Sequence, residues 1–466
     1  MKSELSISSA NSTWLIGDGT FVNFWNDSWC GEPLSHQLHH NPHISGRLSA
    51  KVCDFICNGQ WEVPQFLLSY FPTLANLVSQ VTLQMHPTSG RWIWKHSNNG
   101  ELSLKEAYVF KASHSQKVKW SKAIWSSDIP PSKSLIVWRF MHGRTPTDDQ
   151  LALRGMSLAS MCSCCYKAYE TATHLFFHCS FAHNLWSWLA SVLNRRLQFN
   201  SFEDVWHLTD GRWSPQCKVV IQAILVNIFH VIWYVRNQSR FSNKKIHWRV
   251  AINLIVANVS LSGNNTSKAA CNSITEFSIL KTFNIAIHPP KAPRIIEVLW
   301  HPPIFDWIKC NTDGAASGIP SKAACGGIFR NNEAECIGCF AQNLGLGSSL
   351  FAELSGAMQA IEIAHSKGWF NFWLETDSML VLLAFKSISL VPWRIRTRWD
   401  NCLSLSRQMN FLVTHIFREG NCCADSLANI GMSCNSFLWM NEIHLQVRTD
   451  YIRDRLGLPC YRFVNG

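Results

Sequence analysis

The sequence predicts an α/β protein in two parts. A mixed five-stranded sheet with helices forms the C-terminal part, and a mainly helical module stapled by four metal-binding side chains precedes it. Three observations carry this. Between Ile308 and Phe417, runs of strand period alternate with stretches of helical spacing. Four donors, Cys162, Cys165, His174 and Cys179, stand at metal-ligand spacing. A Pro-rich stretch from His288 to Pro303 lies between the two regions.

At 466 residues the chain exceeds one ordinary core, and 47% apolar residues mark it as globular. Its formal charge of +11 is unevenly spread. From His301 to Met440 there are 10 Lys and Arg against 11 Asp and Glu, leaving 32 basic against 20 acidic residues elsewhere. A basic body beside a carboxylate-bearing domain suits a polyanionic substrate. The 22 Trp serve mostly as core filler. Met1 to Ser6 lead into polar residues rather than an apolar signal segment, so the 18 Cys are expected as reduced thiols in a protein that is not secreted. Nucleus or cytoplasm is the expected location. Val219 to Val235 approaches membrane length, but Gln222, Asn227 and His230 interrupt it, so a buried helix is expected and no membrane partner.

Residues 1–90 form an aromatic-rich connecting segment, in which Gly17-Asp18-Gly19 turns between two short strands. His36, His39, His40 and His43 fall in a solvated loop. Residues 91–190 follow as one module. Arg91 to Trp94 is a strand, helices start near Lys105, Leu135 and Asp148, and each is too short to fold alone. Cys162-x-x-Cys165 can grip an ion from a knuckle, with His174 and Cys179 completing a tetrahedral zinc set that leaves no open position, hence a structural role. Cys164 and His178 are spare donors nearby.

Residues 191–287 are a helical connector, with a basic patch at Arg240, Lys244, Lys245 and Arg249 that suits either phosphate or plain solvent. Residues 288–304 are the Pro-rich linker. Residues 305–435 hold the sheet domain, and 436–466 are a tail. In the sheet domain Trp307 to Asp313 alternates and ends at Asp313-Gly314. Gly326 to Arg330 and Cys336 to Phe340 follow around an Asn331-Asn332 turn, making a three-stranded meander. Cys336 and Cys339 face opposite sides of a strand and are expected as core thiols. Leu350, Leu354, Ala357, Met358 and Ile361 repeat at helical spacing, with Glu353 one step off the stripe. Phe372 to Asp377 and Phe411 to Phe417 are the fourth and fifth strands, and Ala424 to Ile430 is the closing helix.

This order, with Asn311-x-Asp313-Gly314, Ala352-Glu353-Leu354, Glu375-x-Asp377-Ser378 and Arg418-Glu419-x-Asn421-x-x-Ala424-Asp425, resembles the ribonuclease H family over about Asp306 to Ser433. The upstream part resembles the zinc-binding region that follows the polymerase in plant non-LTR retroelement reverse transcriptases, through Cys162, Cys165, Glu170 to Phe176 and Cys179. No Tyr-x-Asp-Asp polymerase motif occurs in the sequence. The resemblance implies catalytic, metal-holding carboxylates at Asp313, Glu353, Asp377 and Asp425, two Mg²⁺ ions, and cleavage of the RNA strand of RNA–DNA hybrids. The alternative is a catalytically silent, nucleic-acid-binding remnant of such an element. The family's loop His is expected to be absent, with His415 a strand residue. Trp393 to Trp399 either replaces the family's basic protrusion or is an ordinary helix start.

Overall fold

A computed structural model describes residues 7–37, 48–86, 88–112, 118, 120–199, 201–271 and 273–464. Contacts group the chain into two units: residues 115–293, and residues 1–114 together with 294–464. The division falls inside the 91–190 segment that the sequence suggested as one module. Of the histidine cluster, His36 is exposed, and His39, His40 and His43 lie outside the described residues.

The helical unit, 115–293, is built on α1 (Pro131–Met141), α2 (Asp148–Leu153), α3 (Ser180–Leu193), α4 (Pro215–Ser242) and α5 (Trp248–Asn265). Ser214 caps α4 by accepting from Cys217 N–H, Pro215 starts it, and Asn243 ends it in a left-handed conformation. By length and composition α4 passes as a membrane span, yet 72% of its most apolar window is buried within the protein. Of its interrupting polar residues, Asn227 is satisfied where it lies, whereas His230 Nδ1 is buried and meets no hydrogen-bond partner among the described residues. Asn227 donates to Ala223 O at 2.8 Å and accepts from Lys133 Nζ at 3.0 Å. These are the contacts of a core helix, the reading the sequence favoured.

One buried charge cluster ties α4 to its surroundings. Arg236 grips Glu170 through Nη2 at 2.6 Å and Nε at 3.1 Å, and Arg240 pairs with Asp148 at the start of α2. Glu170 is fully buried, in the loop between Cys165 and His174. Removing one partner of such a pair strands the other charge in a poor solvent. Glu170→Gln is therefore expected to cost the helical unit about 3 kcal/mol. Denaturant unfolding would measure it, and a cost below about 1 kcal/mol, the level of an exposed pair, would refute it.

The second unit holds one six-stranded sheet. Its strands are β1 (Ile308–Ser317), β2 (Lys322–Arg330), β3 (Cys336–Leu346), β4 (Asn371–Thr376), β5 (Asn410–His415) and β6 (Leu438–Met440), in the order β5-β4-β1-β2-β3-β6. β1 to β3 are an antiparallel meander, and β4 and β5 add in parallel. The helices are α6 (Ser349–Ser366), α7 (Met379–Lys386), α8 (Trp393–Ser406) and α9 (Cys422–Gly431). Leu354, Ala357, Met358 and Ile361 of α6 are buried in the core, as their spacing predicted. α9 packs on the opposite side, where Leu427 joins Ile328 and Cys339.

Three expectations need correcting. The sheet gains a sixth strand, β6, antiparallel to β3, from residues expected as a tail. Three residues were too short to show a period. In the stretch expected as linker, Arg294–Val298 is a strand paired with Cys460–Val464, so flanking prolines bracket an element rather than abolish it. Cys336 and Cys339 do not face apart: beside a register shift between Phe329 and Arg330 both pack into the cluster of Ile328 and Leu427, and Cys339 lowers the pKa of the Cys336 thiol.

The N-terminal residues of this unit pair Ser12–Leu15 with Arg91–Trp94 and reach α8. Arg396 is buried and donates to Asn99 O at 3.1 Å and Val391 O at 3.0 Å, while Arg398 binds Glu362 at 2.6 Å. Trp399 is fully buried. Of the basic residues between Trp393 and Trp399, only Arg394 is exposed, so most of this stretch is a helix start committed to packing.

Candidate active site and metal centre

Strand register brings the first two carboxylates together. Thr312 of β1 stands opposite Thr376 of β4, so Asp313 and Asp377, each one residue further, leave the sheet side by side. Asp313 does not end its strand, as the sequence suggested. β1 continues to Ser317 because it stays paired with β2 as far as Lys322. Glu353 arrives from α6, which Ser348 caps by accepting from Phe351 N–H. That helix passes directly over Gly314, where a Cβ would lie 2.2 Å from Glu353 N and 2.5 Å from Ala352 C. No larger residue admits so close a crossing. Asp313-Gly314 therefore supplies both a carboxylate and the gap through which the next one comes.

Carboxylate oxygens of Asp313, Glu353 and Asp377 lie within 4.8 Å of one another. Asp425, on the first turn of α9, stands outside this set. It accepts from Arg418 Nη2 at 2.9 Å and from Asn429 Nδ2 at 3.0 Å. It is nonetheless near enough to Asp313 to help raise its pKa. Burial is the first cause of that rise, to about 8, with the Asp377 charge second. Burial likewise lifts Glu353 to about 9, aided by Asp313 and Asp377, and Asp377 is raised as well. Glu353 Oε2 is buried and meets no hydrogen-bond partner among the described residues. An all-oxygen set that repels itself and leaves an orphaned carboxylate oxygen fits a hard divalent cation such as Mg²⁺.

Beneath these carboxylates lies a polar network that single-sequence reasoning did not assemble. Asn421 Nδ2 donates to Asp377 Oδ1 at 3.1 Å and to Thr312 O at 3.0 Å. Its own Oδ1 accepts from Asn311 Nδ2 at 3.1 Å, and Asn311 Oδ1 accepts from Trp300 Nε1 and Arg330 Nη2, each at 2.8 Å. Arg330 also binds Asp454 at 2.7 Å, and buried Lys309 pairs with Glu375 at 2.8 Å. Asn311 and Asn421 were visible in the motifs. Arg330 and Asp454 carried no signal, because a strand-end Arg and a tail Asp look like surface residues. His415 is the last residue of β5 and contacts Asp377 O at 3.1 Å, a strand residue as expected, though one beside the site.

In the helical unit, ligand atoms of Cys162, Cys165, His174 and Cys179 also lie within 4.8 Å of one another. Cys162 Sγ is 3.8 Å from Cys179 Sγ, and Cys165 Sγ is 3.3 Å from His174 Nε2. Cys179 sits at the N-terminus of α3, and hydrogen bonds from Cys162 and Cys164 hold its thiol down at about 4. A poised thiolate among two further thiols and an imidazole fits zinc. The spare donors Cys164 and His178 lie outside the set, although Cys164 is near enough to Cys162 and Cys179 for its pKa to be raised by them.

Comparisons agree with both regions. The family described as zinc-binding in reverse transcriptase matches residues 102–186, and the family described as reverse transcriptase-like matches residues 311–431. An Arabidopsis thaliana protein named "Putative ribonuclease H protein" is 24% identical over 446 residues, 90% of this chain. The chain spans 66% of that relative's length. Among solved structures, the ribonuclease H1 of Halobacterium salinarum is 26% identical, covering 27% of this chain and 96% of its own, with a TM-score of 0.24. The N-terminal ribonuclease H domain of a Mycobacterium tuberculosis protein is 22% identical, covering 27% and 92%, with a TM-score of 0.25. The chain thus couples a region similar to the zinc-binding family of reverse transcriptases to a mixed α/β sheet region similar to the reverse transcriptase-like family.

Proposed function

We propose that the chain binds RNA–DNA hybrids and hydrolyses their RNA strand, using divalent metal held by Asp313, Glu353, Asp377 and Asp425. The observation that carries this is the convergence of one buried and two half-buried carboxylates within 4.8 Å, at a point to which β1, the end of β4 and α6 each contribute one. A pair of Mg²⁺ ions, when bound, supplies water activation and stabilisation of the leaving 3′-oxygen. The protein's share is to hold the carboxylates in place before the ions arrive. Asn421 fixes the Asp377 carboxylate, and Asn311 fixes Asn421. Arg418, exposed and paired with Asp425, keeps that carboxylate beside the cluster. The 2′-hydroxyl of the target strand is the group that distinguishes RNA from DNA there. The matching relative, named for ribonuclease H, supports the same reading. Cys162, Cys165, His174 and Cys179 would bind a structural zinc.

The test is hydrolysis of a labelled RNA–DNA hybrid in Mg²⁺ by the wild type and by Asp313→Asn. If both bind the hybrid and neither the wild type nor the variant cuts it, a silent nucleic-acid-binding protein remains. Asn421→Ala examines the supporting network. Loss of an outer hydrogen bond to a metal-holding group costs roughly 10–100-fold in affinity or activity. The Mg²⁺ concentration for half-maximal cleavage is therefore expected to rise about tenfold or more. An unchanged Mg²⁺ titration would show that Asp377 needs no such support.

A further inference from the structure

The helical unit has a property that the carboxylate site does not use. Residues 115–293 contain 20 Lys and Arg against 8 Asp and Glu, a net +12, whereas the rest of the chain is at −1. A cavity of about 580 Å³ opens within this unit, between α1, α2 and the C-terminal half of α4. That volume is within the roughly 300–1,000 Å³ of small-molecule sites.

Its walls combine three kinds of group. Leu151, Met156 and Trp233 are apolar, and Phe241, 75% exposed, stands at α4's end. Arg139 lines the cavity with no ion-pair partner among the described residues. Thr145 also lines it; its Oγ1 is buried and meets no hydrogen-bond partner among those residues, although the residue is only 5% exposed. The nearby carboxylates of Asp148 and Glu170 are already neutralised by Arg236 and Arg240. Those two carboxylates therefore do not oppose an anion. Arg144 and Arg154 flank lining residues in the chain, Lys244 and Lys245 follow Phe241, and all four are exposed.

We propose that this cavity receives one unstacked base of a single-stranded nucleic acid. The aromatic pair supplies faces for the ring, Thr145 Oγ1 a hydrogen bond to its edge, and Arg139 a contact for its phosphate. Stacking of this kind tolerates any base, because every base has a π-face. An apolar peptide would use the walls but would gain nothing from Arg139 or from the surrounding +12. The inference rests on the nucleic-acid-binding half of the function proposed above and is independent of hydrolysis.

The test uses the full chain and fluorescein-labelled oligo(dT) of about 20 nucleotides, longer than single-strand site sizes of roughly 4–16, with a duplex of equal length as control. Phe241→Ala removes a stacking face from an exposed position, and Met156→Trp fills the cavity from a half-exposed one. Each is expected to weaken oligo(dT) binding about tenfold and leave duplex binding within about twofold. Crosslinking with a 5-iodouracil-substituted oligonucleotide is expected to mark the peptide carrying Trp233 and Phe241. Unchanged oligo(dT) affinity in both variants, or crosslinks in other segments alone, overturns the proposal. An apolar dye that binds in the cavity and is not displaced by oligo(dT) overturns it too, in favour of an apolar partner. Asp313→Asn is expected to bind oligo(dT) like the wild type, so loss of cleavage leaves this inference standing.

Discussion

Asp313→Asn is expected to lower hybrid cleavage by on the order of a thousandfold or more while making the Mg²⁺-free protein more stable. The first effect follows from losing one carboxylate of the proposed metal site, since metal clamping is worth several kcal/mol of barrier and each 1.36 kcal/mol is tenfold. The second has the opposite sign for the same reason. Without cations, Asp313 is 6% exposed, faces Asp377 and Glu353, and has a pKa lifted to about 8, mainly by burial. Asn keeps the shape and removes the charge. A carboxyl whose folded pKa is raised adds stability below its unfolded value, near 4, and loses it as pH climbs through the folded value. The metal-free wild type should therefore weaken between about pH 4 and pH 8, and Asp313→Asn should weaken less. Thermal melts at pH 5 and pH 8, with and without Mg²⁺, would measure this. Equal pH dependence in the two proteins would mean that solvent or a counter-ion already relieves the cluster.

Much of the sheet was legible because its signals are local. β1, β4 and β5 alternate in sequence, α6 carries its apolar stripe, and the order of the elements then permits few topologies. The carboxylates were legible through the motifs around them, but not their relation. Asp313 and Asp377 meet because of a parallel register, and Glu353 meets them because Gly314 has no side chain. Neither fact is local. The support network was less visible still. Arg330 and Asp454 are 124 positions apart, and the ion pair between them exists only because the C-terminal residues return to β2. The sixth strand and the strand Arg294–Val298 were missed for a related reason. Each is short, and its partner across the sheet edge supplies the hydrogen bonds that its own sequence cannot advertise.

The zinc cluster had the clearest local signal, and it carries the second large prediction. Cys162→Ser is expected to empty the site and melt the helical unit at moderate temperature. Cys162 is fully buried against Cys179, and Phe176, two residues beyond His174, packs into the core with Phe140 and Phe229. The donors thus fix a loop whose apolar neighbours fill the centre of the unit. Structural zinc contributes roughly 10–16 kcal/mol of binding energy in small peptides, comparable to the whole stability of a domain at about 5–15 kcal/mol. Loss of one ligand of four is expected to lower the melting temperature of this unit by more than about 15 °C and zinc content below about half an ion per chain. The sheet unit, with its own core around Phe329, Met358 and Trp399, should keep its amide protection. Hydrogen exchange read separately on α3 and β1, beside metal analysis of the same sample, would separate the two. Cys164 is the built-in complication, since it stands near enough to Cys162 and Cys179 for its pKa to be raised by them. If Cys162→Ser retains a full zinc and only the double replacement of Cys162 and Cys164 loses it, Cys164 replaces Cys162 as ligand; if the double replacement also keeps zinc, the thiol knuckle does not hold the ion.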